Sequence, residues 1–238
     1  MKRYITGQKT SGKDARIMDE IIIGYVEKNH NEYFKNHSKY KEYLKKMERI
    51  DLLRFNEQDV EIILKPFLYK WGRMGLVLGG KEYKGWETDI VEPIRSNSNK
   101  LNEWRAINFE SSNLPDFKND IIKFYDSLKT IIDRVAATKT MHIICPKFFP
   151  LWDNDIARIV KAEALNILVK ADKYNNFFGK IDDFSGKDYY RFMLLLQAFF
   201  EKYENTFLKL AKTYEKSIVK ILDDFLWMIA HRPLSIFL

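Results

Sequence analysis

Apolar residues recur three and four apart along most of the chain, the spacing that lines one face of a helix. Ile17, Met18, Ile21, Ile22, Tyr25 and Val26 predict an amphipathic helix from Ala15 to about Asn29. Tyr33, Tyr40, Tyr43, Leu44 and Met47 predict a second, ending at Glu48, with Lys39, Lys41, Lys45 and Lys46 outward. Asn56 and Asp59 mark a third start, followed by Val60, Ile63, Leu64, Phe67, Leu68 and Trp71, with Pro66 bending the run. Asp116 opens a helix carrying Phe117, Ile121, Ile122, Tyr125, Leu128 and Ile132, and two long helices, Lys187 to Tyr203 and Asn205 to His231, close the chain before Pro233. There is no alternating pattern, repeat or long heptad array, so the fold class read from the sequence is all-α.

The interruptions carry the candidate chemistry. Trp71-Gly72-Arg73-Met74-Gly75 and Gly79-Gly80 hold four of the ten glycines, so the backbone there can turn tightly or approach a ligand. Arg73 or Trp71 could then enter a nucleic-acid groove; a plain helix-ending turn accounts for the glycines equally well. The segment Tyr83 to Ile94 has no clear period, and Pro93 with Ser96 to Asn99 marks a break. In Val135 to Val160, Ala136-Ala137-Thr138 reads as a small-residue corner, Lys139 as the start of a helix, and Pro146 and Pro150 as its end. Asp153 then stands where an N-cap belongs, before Ile156, Ile159, Val160 and Ala164. After that helix, Tyr174 to Gly179 reads as an aromatic loop.

At 238 residues, 46% of them hydrophobic, the chain suits a single domain with a sizeable core and a flexible tail over about residues 1–13. No stretch is apolar enough for a membrane span and no signal core opens the chain, so a cytoplasmic monomer is expected. The single cysteine, Cys145, excludes an internal disulfide and an all-cysteine cluster, and the four histidines lack ligand spacing, so no metal or cofactor is expected. A net charge of +7 favours a polyanionic partner. Gly7 to Lys13 nearly spells a phosphate loop, but Asp14 replaces the required hydroxyl and no strand can precede it; Asp14 reads instead as a helix cap.

Val135 to Ile159 resembles the signature of the helix-hairpin-helix DNA glycosylases, the superfamily of endonuclease III and 8-oxoguanine glycosylase. In that family a glycine-bearing hairpin is followed by a lysine, and an aspartate then opens a helix reading Asp-x-x-Val-x-Arg-Val. Here Val-Ala-Ala-Thr-Lys ends on Lys139, and Asp153-Asn154-Asp155-Ile156-Ala157-Arg158-Ile159 follows the aspartate pattern. Alanines replace the hairpin glycines, and the connection between the two key residues is shorter than usual. The resemblance implies a two-lobed helical fold with the hairpin element around residues 117–145, DNA as partner, and Lys139 and Asp153 as the catalytic pair. Asp153 would stabilise the sugar cation, and Lys139 would attack its anomeric carbon and confer lyase activity.

Because the base must leave the stack, a pocket is required, and Trp152, His142, Asp155 and Phe149, with Phe148, are its candidates. Ala136, Ala137, Thr138, Arg73 and Arg158 are the candidate DNA contacts. Each has a plainer reading: core aromatics, a satisfied histidine, a helix cap, a surface cation. The altered hairpin and shortened connection suggest a specialised member of that family, one acting on unusual bases of foreign DNA. The alternative is a helical nucleic-acid-binding module without the reaction.

Overall fold

The computed structural model describes residues 12–161 and 184–231. Every regular element among them is helical, as the apolar spacing predicts. The tail up to Ser11, the chain from Ala162 to Asp183 with its Tyr174 to Gly179 loop, and the last seven residues lie outside the described part.

The first two expected helices are one. Helix α1 (Gly12–Glu48) runs unbroken through the polar stretch Asn29 to Glu32. No proline interrupts it, and Asn29 is buried rather than solvated. Its backbone is already helical at Gly12, so Asp14 lies inside the helix and not at its cap. Asn56 does begin the next run: its side chain accepts from the Gln58 N–H at 2.9 Å, and Asp59 accepts from the Asn56 N–H at 3.1 Å. That run widens into two π-helical stretches, Val60–Leu64 and Phe67–Trp71, on either side of Lys65 and Pro66. The ambiguous segment resolves into short helices, Trp86–Asp89 and Val91–Ser96, followed by Ser98–Arg105.

Helix α2 (Leu114–Lys129) and helix α3 (Arg134–Ile144) meet at a corner spanning Thr130 to Asp133. Asp133 caps α3, its carboxylate accepting from the Val135 N–H at 2.7 Å. The corner therefore lies ahead of Ala136-Ala137-Thr138, which sit inside α3, and Lys139 is in mid-helix. Helix α4 (Asn154–Lys161) follows the proline-rich link, and helix α5 (Gly186–Lys202) packs chiefly on α2.

The long C-terminal helix is split into α6 (Glu204–Tyr214) and α7 (Ile218–His231). Glu215 takes the left-handed conformation, φ 51°, and the Ser217 hydroxyl accepts the Lys220 N–H at 3.2 Å to start α7. Helix α7 packs against α1, α4 and α6. The Arg105 guanidinium ties the ends of α1 and α3 together, donating to the carbonyls of Met47, Ile50 and Ile144 at 3.0, 3.1 and 3.1 Å. One contiguous set of buried side chains joins these helices. No helix among the described residues is long and apolar enough to cross a membrane.

Candidate functional site

The second π stretch ends at a turn that only glycine can make. The Gly72 N–H reaches back five residues to the Phe67 carbonyl at 2.8 Å, and the Met74 N–H bonds the Leu68 carbonyl at 2.9 Å. A Cβ on Gly72 would stand 2.6 Å from the Leu68 carbonyl oxygen, closer than two such atoms can approach. The next residue, Arg73, is exposed and has φ 55°, uncommon for a side chain with a Cβ. The turn leaves the Gly72 carbonyl unused by the helix, and the Lys139 ammonium donates to it at 2.6 Å. Wide helical turns of this kind recur at functional sites.

Lys139 faces a cleft of about 780 Å³ walled by this turn on one side and by α7 on the other. Asp153 lines the same cleft. Its Oδ1 accepts from the Ile156 N–H at 2.8 Å, capping α4, and its other oxygen has no hydrogen-bond partner among the described residues. Burial pulls the Lys139 amine below the ordinary lysine range, opposed by the negative charges of Asp153, Asp223 and Asp133 and assisted by Arg73. The amine and the carboxylate thus share one gap, and each feels the other's charge.

Helix α7 supplies charges that the hydrophobic pattern concealed. Lys220, Asp223 and Asp224 are buried on a helix whose other members are largely Ile, Leu, Val and Phe. The Lys220 ammonium is shared by Asp223 and Asp224, both at 2.5 Å, and Lys216 donates to Asp224 at 2.6 Å. Burial works against the Lys220 charge, but two carboxylates facing one ammonium hold its pKa above the ordinary value. Asp223 also titrates above the usual carboxylate range, because burial and the neighbouring Asp224 and Asp153 outweigh Lys220. Lys220, Asp223 and Asp224 all line the cleft. The spacing i, i+3, i+4 puts these three charges on one face of an otherwise apolar helix, a pattern that a solvated face would share, so their burial is seen only in the packed structure.

The remaining sequence candidates divide. Asp155 and Arg73 line the cleft; Asp155 also pairs with Arg158 and His231, each at 3.4 Å. Arg158 is exposed outside the lining residues, and its guanidinium is held by Asp155. Trp152, His142 and Phe149 are not pocket walls. Trp152 is stacked on Phe192, ring centres 5.4 Å apart, and packed beside Tyr189 and Phe184. His142 is enclosed between the Phe149 carbonyl, 2.7 Å from Nδ1, and the Tyr40 hydroxyl, 2.5 Å from Nε2. With Nδ1 donating to the carbonyl, Nε2 accepts from Tyr40, and burial lowers the imidazole pKa to about 4. Phe148 and Phe149 pack on Trp104.

Ala136, Ala137 and Thr138 are fully buried within α3, so they cannot approach a phosphate. Their small size instead brings the link close: the Thr138 hydroxyl sits 3.1 Å from the Trp152 carbonyl, joining the helix of Lys139 to the residue before Asp153. Sequence reasoning missed Gly72 as the partner of Lys139, and it missed Lys220, Asp223, Asp224 and Trp227. No group of three or more metal-ligating side chains occurs among the described residues. No protein-family model, curated protein or solved structure matches the chain.

Proposed function

We propose that the chain is a DNA N-glycosylase that excises a damaged or modified base, with an associated lyase step. The observation that carries the reading is that Lys139 and Asp153, 14 residues apart in sequence, face one cleft of about 780 Å³. That volume falls in the range of small-molecule sites, roughly 300 to 1,000 Å³, which accommodates an extruded nucleotide. The half-buried rings of Trp71 and Trp227 offer apolar walls, and exposed Lys39, Lys70 and Arg73 offer cations at the rim for phosphate. The helix pair α2 and α3 turns at Thr130 to Asp133, ahead of the Ala136-Ala137-Thr138 segment that the resemblance takes as the hairpin, so the reading rests on the cleft and not on a hairpin.

In this reading Asp153 stabilises the positive charge that develops on the sugar as the glycosidic bond breaks. Lys139, its ammonium form disfavoured by burial, attacks the anomeric carbon and remains bound as a Schiff base. The contacts of the Lys139 amine with the Gly72 carbonyl and, at 3.9 Å, the Met74 sulfur also suit a structural latch, which favours the second reading, a helical DNA-binding module without chemistry. The two are separated by incubating the protein with duplexes carrying altered bases, including hypermodified phage bases, and trapping with borohydride. A covalent adduct that Lys139→Gln abolishes supports the lyase. Abasic sites without an adduct assign the reaction to Asp153 and water. DNA binding without base release on any duplex leaves the module.

A further inference from the structure

A lysine that must act as a nucleophile has to lose a proton first, and of the carboxylates lining the cleft Asp153 and Asp223 are the two whose charges act most on Lys139. Asp153 spends one oxygen on the Ile156 N–H, and its charge is needed beside the sugar. Asp223 is different. It is 8% exposed, its Oδ2 receives the Lys220 ammonium, and its Oδ1 has no hydrogen-bond partner among the described residues although it lies on a cleft-lining side chain. Lys220 is itself held from behind by Asp224, which Lys216 also grips, so the Asp223 carboxylate is fixed in place.

We propose that Asp223 is the proton acceptor for the Lys139 amine. The inference rests on the amine-and-carboxylate reading of the cleft given above and adds to it a third group. On an abasic aldehyde the steps balance. Lys139 and Asp223 form no direct ion pair, so one proton passes from the amine to Asp223 through a water in the cleft, and the neutral amine adds its electron pair to the aldehyde carbon. The second amine proton moves to the former carbonyl oxygen. Asp223 then returns its proton to that hydroxyl, which leaves as water while the nitrogen pair closes the C=N bond. The product is the iminium, with Asp223 again an anion. The raised proton affinity of a buried carboxylate suits it to this exchange, because a strongly acidic one would not hold the proton long enough.

Charge alone makes the opposite prediction. As a bystander anion Asp223 holds the Lys139 ammonium in its charged form, so its removal would raise the fraction of neutral amine and speed the reaction. As the acceptor, its removal slows the reaction at neutral pH and spares it where hydroxide does the work. The groups that face this exchange are Asp153, Asp133 and Arg73 around Lys139, and Lys220, Asp224 and Asp153 around Asp223. Lys216 and Tyr40 lie behind Lys220.

The test is the rate of borohydride-trapped adduct on an abasic-site duplex, from pH 6 to 10.5, for wild type and Asp223→Asn. The expected result is a loss of about 100-fold or more at pH 7, the usual scale of general-base help, that closes toward pH 10. Should Asp223→Asn fold poorly, the double variant Lys220→Met with Asp223→Asn removes both charges of the pair, leaves Asp224 with Lys216, and is read the same way. Equal or faster trapping than wild type at pH 7 in the folded variant would overturn the inference alone. A wild-type protein that forms no adduct would overturn it together with the lyase reading on which it rests.

Discussion

The Lys139 ammonium donates to the carbonyl of Gly72 across 67 residues of sequence, at 2.6 Å, and this contact closes one wall of the cleft. It depends on a π turn that leaves a carbonyl unclaimed by the helix and on a residue without a Cβ at the turn. The contact also fixes the amine at the edge of the cleft.

Gly72→Ala should therefore damage both stability and reactivity. The new methyl group would meet the Leu68 carbonyl oxygen at 2.6 Å, so the turn must shift and Lys139 lose its acceptor. A loss of about 1 to 3 kcal/mol in urea unfolding is expected, the range for strain at a demanding backbone position. Unchanged unfolding and unchanged adduct formation would show that the turn tolerates a side chain.

The buried charge cluster predicts a sharp contrast between single and paired substitutions. Lys220→Met leaves Asp223 and Asp224 buried without the ammonium they share, with Lys216 still donating to Asp224, and should cost roughly 3 to 5 kcal/mol, as breaking a buried pair does. Adding Asp223→Asn to it should restore most of that, because the uncompensated charge is gone. Denaturant midpoints for the three proteins decide the matter, and equal losses in the single and double variants would contradict it.

His142 gives a pH limb to the stability. Its folded pKa, about 4, lies below the ordinary value of 6.5, so between those limits the unfolded chain binds the extra proton. Stability from this group is full above pH 6.5 and is lost as pH falls toward 4, by roughly 3 kcal/mol if the site stays closed. Equilibrium unfolding of wild type and His142→Gln across pH 4 to 7 should show a slope smaller by about one proton in the variant. Parallel curves would place the titration elsewhere.

How much of this was legible in the sequence depended on how local the cause was. The helices followed from apolar spacing, and Asp153 is a cap because a carboxylate ahead of a helical stripe bonds backbone N–H groups within one turn. The helix expected to open at Asp116 begins two residues earlier, at Leu114, and the start at Asn56 was likewise readable. Two helix ends were not. The join at Asn29 to Glu32 stays helical because α1 lies along α7, and the break at Glu215 to Ser217 falls inside a run of residues that all tolerate helix.

The aromatic candidates failed for a related reason. Trp152, Phe149 and His142 adjoin Lys139 and Asp153 along the chain, but side chains on successive faces of a helix or link point in different directions. Their neighbours in space are Phe192, Trp104 and Tyr40, from three other helices. Proximity in sequence therefore marked the core behind the cleft, not its walls.

What the amino-acid order determined by itself was an all-helical chain with a net positive charge and a lysine and an aspartate flanking a proline-rich link. Hydrophobic periodicity and capping act over a few residues, so they are written in the order directly. Only the tertiary structure decided that Gly72, from a turn 67 residues away, holds the amine, and that Lys220, Asp223 and Asp224 line the cleft beside it. A charge on a helix reads as solvated until its neighbours are known, because burial is a property of the packed whole and not of the segment.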